Sequence, residues 1–383
     1  MKRLFLLIVL MSMGFQTMAQ RNQITVGAEQ LDVLLPKLAG KGVALLVNQT
    51  SVIRNTHLAD TLKSRGVDIV KVFSPEHGFR GTADAGEKVG DGVDAKTGLT
   101  VISLYGNSRK ATPEHLKDVD VVIFDLQDVG ARFFTYIGSM HYMMEACAEN
   151  GRKLIILDRP NPNGSYVDGP VLQTEQKSFV GMHPVPIAHG LTLGEYAQMI
   201  NGEGWLQGGI KCDIEIVRIK NWKHADPWLV RIKPSPNLPN SHSIGMYPST
   251  CLFEGTVLSV GRGTQNPFEL IGHPDLKNQP FQFTPVSING MAKTPPLENQ
   301  VCYGIDLRKE KLPKRVSLEF LIAMYDAFPD KEKFFNAYFK KLAGNTVLQE
   351  QIKSGMTEDQ IRVTWKKDLD AFKVKRGKYL LYK

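Results

Sequence analysis

The sequence lacks the cysteine patterns of metal-binding and disulfide-rich proteins. Its 383 residues include four cysteines, which lie far apart and form no CxxC or cysteine–histidine pair. Zinc sites need closely spaced ligands, so a structural metal is not expected. A chain of this length also has core enough without disulfides. Cys147 lies among helix-forming residues, and we expect it to be a buried thiol; the other three are left undecided.

The sequence also has no long apolar run after its first twenty residues. That first stretch contains Lys2 and Arg3, an apolar run from residue 4 to 11, and small residues ending at Ala19. This is the pattern of a secretory signal peptide, and its apolar run is too short to span a bilayer. We therefore expect residues 1–19 to be removed and the protein to be exported, periplasmic or secreted, without stable membrane insertion.

Charge of one sign is not concentrated in any segment. Lysine and arginine together number 47 against 39 acidic residues, a formal net charge of +8, and no dense basic block carries interleaved aromatic residues. Nucleic-acid binding is therefore not indicated. A diffuse positive charge of this size would also suit an anionic polymer substrate.

Motifs that bind nucleotides or activate a serine are missing as well. No GxGxxG follows the first predicted strand, and neither GxxxxGK[ST] nor GxSxG occurs anywhere. These absences argue against a dinucleotide, a nucleoside triphosphate and a serine hydrolase.

The first half of the chain alternates short apolar runs with helical segments. Strands are predicted at residues 43–47, 67–73, 100–104, 119–124 and 154–157, with helices near 60–65, 113–117 and 135–150. Near-continuous apolar strands separated by helices indicate a parallel sheet covered on both faces. The sequence therefore predicts a doubly wound α/β domain, which we place at residues 20–295.

The rest of the chain has a different composition. Residues 159–296 are rich in proline, glycine and asparagine, with a helix predicted near 193–202 and a strand near 214–219. From about residue 302, a strand at 303–307 and helices near 317–328, 332–343, 347–354 and 357–375 are predicted. They indicate a smaller C-terminal α+β domain, which we place at residues 296–383.

Each predicted strand of the first half ends in a polar cluster, and open α/β sheets bind their ligands at that edge. Glu76 follows the second strand, beside Phe73 and Phe79. Partial desolvation there would raise the pKa of a carboxyl group and make it a general acid. Alternatively, Arg80 or backbone amides hold Glu76 in its loop. Three roles are open for His77: it adjusts the acidity of Glu76, forms a hydrogen bond to a substrate hydroxyl, or is structural.

Carboxylates and arginines recur at the later strand ends. Asp125, Asp128 and Arg132 surround the fourth, and aromatic side chains follow, a combination that suits a sugar ring. Alternatively, Asp125 and Arg132 pair and brace the loop. Further along, Glu254 is a candidate second carboxylate and Arg262 a candidate anion-binding residue, unless they form internal ion pairs.

Several long motifs occur in a fixed order over most of the chain. They are Val47-Asn-Gln-Thr50, Phe73-Ser-Pro-Glu-His-Gly-Phe-Arg-Gly81, Phe124-Asp-Leu-Gln-Asp-Val-Gly-Ala-Arg132, Leu157-Asp-Arg-Pro-Asn-Pro-Asn-Gly164, Asp168-Gly-Pro170, Pro234-Ser-Pro-Asn-Leu-Pro239, Phe253-Glu-Gly-Thr256 and Gly261-Arg-Gly-Thr264. The series resembles the exo-β-N-acetylmuramidases of the NamZ type, glycoside hydrolase family 171. The resemblance implies a Rossmann-like larger domain, a smaller C-terminal domain and a cleft between them.

The resemblance also implies an enzyme that removes terminal N-acetylmuramic acid from the non-reducing end of peptidoglycan fragments, with Glu76 as the leading catalytic residue. No metal or organic cofactor is expected. Glycoside hydrolysis generally uses two carboxyl groups, so Asp125, Asp128 and Glu254 are candidates for the second. The acetamido oxygen of the substrate is an alternative to all three.

The lactyl carboxylate of muramic acid requires a cation in the cleft. Arg132 and Arg80 are favoured because both follow strand ends, and Arg262 is the third candidate. The other expected substrate-binding residues are Asn48, His77, Tyr136, Asp158, Arg159 and Asn237. Asp158 could instead cap a turn.

Two other classes of function compete with the glycosidase. A non-catalytic periplasmic glycan-binding protein would keep the aromatic residues and arginines but would not need Glu76. An esterase or deacetylase acting on cell-wall sugars is less well supported, because both the metal-ligand spacing and the serine motif are missing.

Overall fold

The computed structural model describes residues 23–81, 90–106 and 108–383. The expected signal peptide, residues 1–19, lies outside them. Within the described ranges, no helix combines the length and the apolar character needed to cross a bilayer. All four cysteines are described, and each is a buried free thiol. The expectation for Cys147 is confirmed.

The described residues form twelve strands and nine α-helices. The strands are β1 (Val43–Val47), β2 (Val52–Ile53), β3 (Thr56–His57), β4 (Ile69–Ser74), β5 (Gly92–Val93), β6 (Thr100–Ser103), β7 (Val121–Asp125), β8 (Lys153–Leu157), β9 (Ile214–Val217), β10 (Leu270–His273), β11 (Phe281–Phe283) and β12 (Cys302–Asp306). The helices are α1 (Leu31–Leu38), α2 (Leu58–Ser64), α3 (Tyr136–Glu149), α4 (Leu193–Gly202), α5 (Ser241–Thr250), α6 (Glu319–Ala327), α7 (Phe339–Ala343), α8 (Val347–Lys353) and α9 (Glu358–Gly377).

Seven of these described strands form the central sheet, in the order β5-β6-β4-β1-β7-β8-β9. All neighbouring pairs are parallel except β5 and β6 at one edge. The chain moves outwards from β1 through β4 to β6 and then returns to β7 on the other side of β1. This is the topology of a doubly wound, Rossmann-like sheet. The predicted α/β fold class with a smaller C-terminal part is confirmed.

Burial on both faces explains why the strand sequences are continuously apolar. Every residue of β1 is buried. Val43, Leu45 and Val47 belong to the apolar cluster on one face of the sheet, whereas Ala44 and Leu46 belong to the cluster on the other. Alternate side chains of one strand therefore stabilise two separate layers, as expected for a covered parallel sheet.

Helix α3 covers one face with the apolar positions that the sequence placed at helical spacing. Tyr136, Met140, Met143, Met144 and Cys147 are all buried in the larger cluster. The methionines of this helix are therefore core residues.

The C-terminal part contains a small antiparallel sheet in which β12 lies between β10 and β11. A domain boundary at 295/296 would cut through this sheet. The single helix predicted over residues 332–343 is wrong, because α7 covers only Phe339–Ala343. The backbone before it pairs with the segment after Glu254 instead: Val257 N donates to Phe334 O at 3.0 Å, and Asn336 N donates to Gly255 O at 3.0 Å.

Arg132 joins the sheet domain to the C-terminal part. Its guanidinium is buried and donates to four carbonyl oxygens at 2.8 to 2.9 Å, those of Pro170, Val185, Leu342 and Ala343. The last two are at the end of α7, where helix carbonyls lack partners within the helix and a cation is favourable. Arg132 is therefore a structural tie between the two regions.

We expect Arg132→Met to lower the free energy of unfolding by about 3 kcal/mol or more, because it leaves buried carbonyl groups without donors. Urea denaturation measures the change. Arg65→Met, at an exposed arginine, is the control and should change stability by less than about 0.5 kcal/mol. Equal stabilities for the two variants would contradict the role of Arg132 as a tie.

Candidate active site

A cavity of about 850 Å³ lies between the end of β4 and the C-terminal part of the chain. Its volume is in the range of roughly 300 to 1,000 Å³ that is usual for ligand pockets. The polar and charged side chains along its wall include Glu76, Glu254, Arg262, Lys293, Asn336 and Tyr338. Two carboxylates and two cations from distant parts of the sequence thus share one cavity.

Glu76 is positioned by a tight turn directly after β4. Gly78 N donates to Pro75 O at 3.1 Å, and both His77 (φ 72°) and Gly78 (φ 76°) adopt the left-handed conformation. For a residue other than glycine, that conformation costs about 1 to 2 kcal/mol, and such strain often occurs at functional sites. The turn keeps the Glu76 side chain at the carboxyl end of the sheet.

Two hydroxyl groups orient the Glu76 carboxylate. Thr135 Oγ1 donates to Glu76 Oε2 at 2.8 Å, and the Tyr105 hydroxyl forms a second hydrogen bond to Glu76. Burial, together with the negative charge of Glu76, raises the pKa of Tyr105, so its phenol stays protonated as a donor. Glu76 is therefore held by donors from two separate loops.

Asn48 and Tyr136 form a buried network close to Glu76. Asn48 Nδ2 donates to the Tyr136 hydroxyl at 2.6 Å, and that hydroxyl donates to Pro234 O at 2.8 Å. Tyr136 also follows Thr135, which bonds Glu76. The two residues predicted to bind substrate therefore hold the proline-rich loop and the start of α3 in place.

Glu254 and Arg262 form an ion pair in the cavity wall, with Arg262 Nε 2.7 Å from Glu254 Oε1. The Cys251 thiol lies 3.6 Å from the other carboxylate oxygen, and the Arg262 guanidinium lies 5.1 Å from the centre of the Phe268 ring. Among the described residues, the two terminal nitrogens of Arg262 have no hydrogen-bond partner. The guanidinium is thus fixed through Nε and one face, and no described residue binds its outer edge.

Tyr338 and Asn336 bring the C-terminal part of the chain to the cavity. Asn336 Nδ2 donates to the carbonyl oxygens of Glu254 and Thr256 at 3.2 and 3.0 Å, and its Oδ1 accepts from Tyr338 N. Burial and the nearby groups Cys251, Glu254 and Glu76 raise the pKa of the Tyr338 phenol. A neutral phenol therefore lies near both carboxylates.

Two family models for the exo-β-N-acetylmuramidase NamZ, one N-terminal and one C-terminal, match residues 43–242 and 245–382. The chain belongs to this family. It is 39% identical over 380 residues to the peptidoglycan β-N-acetylmuramidase NamZ of Bacillus subtilis, covering 92% of this chain and 90% of the relative. Membership of this family confirms the prediction that the protein is an enzyme of the glycosidase class.

Solved structures of the family have the same fold. A DUF1343 family protein from Bacteroides fragilis, 43% identical, superposes with a TM-score of 0.88 and covers 94% of this chain and 99% of its own. A second protein of that family from the same organism, 31% identical, gives a TM-score of 0.79 over the same shares. The two family models divide the chain near residue 243, whereas the sequence-based boundary at 295/296 stays a prediction.

Asp125 is engaged away from the cavity. It is fully buried and paired with Arg159, whose Nε and Nη2 lie 2.5 and 2.9 Å from its two oxygens. The pair expected between Asp125 and Arg132 is replaced by this one, since Arg132 donates to carbonyls. Neither Asp125 nor Arg159 lines the cavity that contains Glu76.

The two arginines favoured for the lactyl carboxylate are also engaged elsewhere. Arg80 pairs with Asp94 at 2.8 Å and with Asp60 at 3.0 Å, and its guanidinium lies over Phe79. Arg132 is buried among carbonyls. Of the three candidate arginines, Arg262 is the one that lines the cavity.

Asp158 and Asn237 support neighbouring structure. Asp158 is buried and accepts hydrogen bonds from Thr192 Oγ1 at 2.7 Å and from the Tyr382 hydroxyl at 2.6 Å, so it fixes the start of α4 and the end of the chain. Asn237 Nδ2 donates to the carbonyl oxygen of Met291, a residue of the cavity wall. Asn237 therefore supports the cavity wall without lining the cavity itself.

Several side chains of the site were not predicted from the sequence: Tyr105, Thr135, Lys293, Asn336 and Tyr338. Tyr105 follows β6 and shares the strand-end signal of the other candidates. Asn336 and Tyr338 carried no such signal, because they lie in a segment predicted to be helical. Asn336 and Tyr338 reach the cavity wall because the backbone of that segment pairs with residues 255–257.

Asp128 lies buried at the end of β7 and does not line the cavity. Burial raises its pKa to about 7, although Oδ2 accepts from Gly130 N at 2.6 Å. His189 Nε2 lies 3.8 Å from Oδ2, and burial lowers the pKa of His189 to about 3. Both side chains are therefore neutral at mildly acidic pH.

The raised pKa of Asp128 predicts a pH effect on stability. Between the unfolded value of 3.8 and the folded value of about 7, the folded state binds more protons, so this residue lowers stability as pH rises through that range. We expect Asp128→Asn to gain about 2 kcal/mol relative to the parent protein between pH 5 and pH 8, measured by urea denaturation. The turnover number should stay within about threefold.

Asp118→Asn, at an exposed aspartate, is the matched control and should show no such gain. A loss of kcat by a hundredfold or more in Asp128→Asn, about 2.7 kcal/mol in the activation barrier, would instead make Asp128 the second catalytic carboxyl group.

Proposed function

We propose that this protein is an exo-acting β-N-acetylmuramidase that releases terminal N-acetylmuramic acid from the non-reducing end of peptidoglycan fragments. The observation that supports this best is the cavity in which Glu76 and the Glu254–Arg262 pair share one space. Family membership favours this reading over a glycan-binding protein without activity.

Glu76 is the proposed general acid. A glycosidic oxygen needs a proton as its bond to the sugar breaks, and the donor must be held within hydrogen-bond reach of it. Thr135 and Tyr105 fix the Glu76 carboxyl group from two sides at the edge of the cavity. This arrangement orients the acid toward one position in the bound sugar.

Glu254 is the proposed second carboxylate, because Asp125 and Asp128 are buried in contacts outside the cavity. Retaining enzymes have their two carboxyl groups about 5 to 5.5 Å apart, and inverting enzymes about 6.5 to 9.5 Å apart. In a substrate-assisted course, the acetamido oxygen would attack and Glu254 would orient the amide. The anomeric configuration of the first product, followed by NMR, separates inversion from the other two courses.

Arg262 is the proposed binding residue for the lactyl carboxylate. Its Nε is held by Glu254 at 2.7 Å, and its terminal nitrogens, which have no hydrogen-bond partner among the described residues, offer the planar edge that carboxylates bind best. Lys293 adds a second positive charge to the same cavity wall. The cavity therefore provides the charge that distinguishes muramic acid from N-acetylglucosamine.

Export and a function in cell-wall turnover complete the proposal. The first nineteen residues have the pattern of a cleavable signal peptide, and peptidoglycan lies outside the cytoplasmic membrane. Cell fractionation with the complete gene, followed by N-terminal sequencing of the product, tests whether the chain is exported and cleaved before Gln20.

Glu76→Gln should keep the fold and bind substrate but lose at least about a hundredfold in kcat, the lower end of what a positioned general acid contributes. The assay follows release of N-acetylmuramic acid from a MurNAc-GlcNAc disaccharide. A muramide with an activated aryl leaving group, which needs little protonation, should recover part of the loss. Normal kcat with a lowered melting temperature would make Glu76 a structural residue of its loop.

Arg262→Lys should raise KM for the muramyl substrate by roughly ten- to a hundredfold, the scale of one charge-assisted hydrogen bond of about 1.5 to 3 kcal/mol. Slow turnover of the corresponding glucosaminyl substrate should remain nearly unchanged. Arg80→Lys is the control, since Arg80 pairs with Asp60 and Asp94 outside the cavity, and it should affect neither substrate. An equal effect of Arg262→Lys on both substrates would mean that Arg262 positions Glu254 instead.

A further inference from the structure

A second, smaller pocket lies at the carboxyl ends of β1, β7 and β8. Its volume is about 270 Å³, and its lining includes Thr50 after β1, Gln127 after β7 and Arg159 after β8. The strand order of the sheet reverses between β1 and β7, and doubly wound sheets bind ligands at such a switch point. None of the described residues around this pocket also lines the cavity that contains Glu76.

Three arginines give this pocket a positive character. Arg54 and Arg231 are exposed at its rim, and neither forms an ion pair within the described part of the chain. Glu29 is the one acidic residue in the described lining, and its carboxylate accepts a hydrogen bond from Val26 N at 3.2 Å. The two rim cations therefore exceed the local negative charge.

The third arginine is built into the pocket wall. The side chain of Arg159 is only 7% exposed, and Asp125 holds its Nε and Nη2, with Nη2 also donating to Val52 O at 3.1 Å. Its remaining nitrogen, Nη1, has no hydrogen-bond partner among the described residues. A buried guanidinium fixed along one edge thus keeps a donor for a ligand in this pocket.

An indole ring forms the apolar side of the pocket. Trp228 Nε1 donates to Gln127 Oε1 at 3.0 Å, and Gln127 Nε2 in turn donates to Pro160 O at 2.9 Å. The ring is thereby held in one orientation, with Val230 and Ile232 on the same loop also lining the space. A fixed aromatic face beside cations suits the C–H face of a sugar ring that carries an acid group.

We propose that this pocket is a binding site for a small anionic sugar, separate from the catalytic cavity. The volume is below the roughly 300 to 1,000 Å³ of most ligand pockets, which favours one sugar ring over a dinucleotide. Arg54, Arg231 and Nη1 of Arg159 bind the acid group, and the indole of Trp228 packs against the ring. A carboxylate and a phosphate satisfy the same donors, so both are included in the test.

The test uses the whole protein after removal of residues 1–19 and follows tryptophan fluorescence during titration with three sugars. N-acetylmuramic acid carries a carboxylate, glucosamine 6-phosphate carries a phosphate, and N-acetylglucosamine is neutral. We expect at least one of the two acidic sugars to change the emission and to bind at least tenfold more tightly than the neutral sugar. The acidic sugar that binds more tightly identifies the natural acid group. Trp228→Phe should abolish this signal, because the other tryptophans lie outside the pocket.

The variant Arg54→Gln/Arg231→Gln should weaken this binding at least tenfold while leaving kcat on the muramyl disaccharide unchanged. Arg65→Gln/Lys311→Gln removes the same charge from exposed positions outside the pocket and should bind as the parent protein does. Unchanged binding in the first variant, equal affinity for the neutral sugar, or a signal that survives Trp228→Phe would overturn the proposal. Activity is measured separately, so an inactive protein would refute the proposed function and leave the result for this pocket intact.

Discussion

The geometry of the active site depends on the buried guanidinium of Arg132, which lies between the sheet domain and the C-terminal part of the chain. Arg132 donates to carbonyl oxygens in the sheet domain and to those at the end of α7. Helix α7 begins directly after Tyr338, so the tie also fixes the segment that forms one wall of the cavity. Through its contacts at the end of α7, the Arg132 cation thus links the core of the sheet to Tyr338, which lies near Glu76 and Glu254.

Much of the sheet could be predicted from the sequence, because a strand buried on both faces has a distinctive apolar run. β1, β4, β6, β7 and β8 all correspond to predicted strands, and the polar residues after them include Glu76. The segment over residues 332–343 was mispredicted because its helical composition competes with backbone pairing to residues 255–257. Sequence composition does not reveal a tertiary pairing of that kind.

The partners of the arginines were the least predictable feature. Arg80, Arg132 and Arg262 all occur in motifs beside carboxylates or aromatic residues. In the fold, however, Arg80 joins a half-buried ion-pair cluster, Arg132 binds buried carbonyl groups, and Arg262 lies in the cavity wall. Asp125 pairs with Arg159, thirty-four positions away, and not with the nearer Arg132. Long flexible side chains reach partners that the local spacing of residues does not specify. The motifs therefore indicated that the strand ends are charged, but not which partner each arginine binds.

The burial of every thiol has a practical consequence for studying this protein. Cys147, Cys212, Cys251 and Cys302 are all free and all buried, so none presents an accessible sulfur to a maleimide reagent under native conditions. A single cysteine introduced at an exposed position of the C-terminal part would then be the one reactive thiol on the folded surface. A second cysteine introduced on the opposite side of the cavity would complete a pair of labelling sites, and the pair would report distances across the cavity without prior removal of the native cysteines.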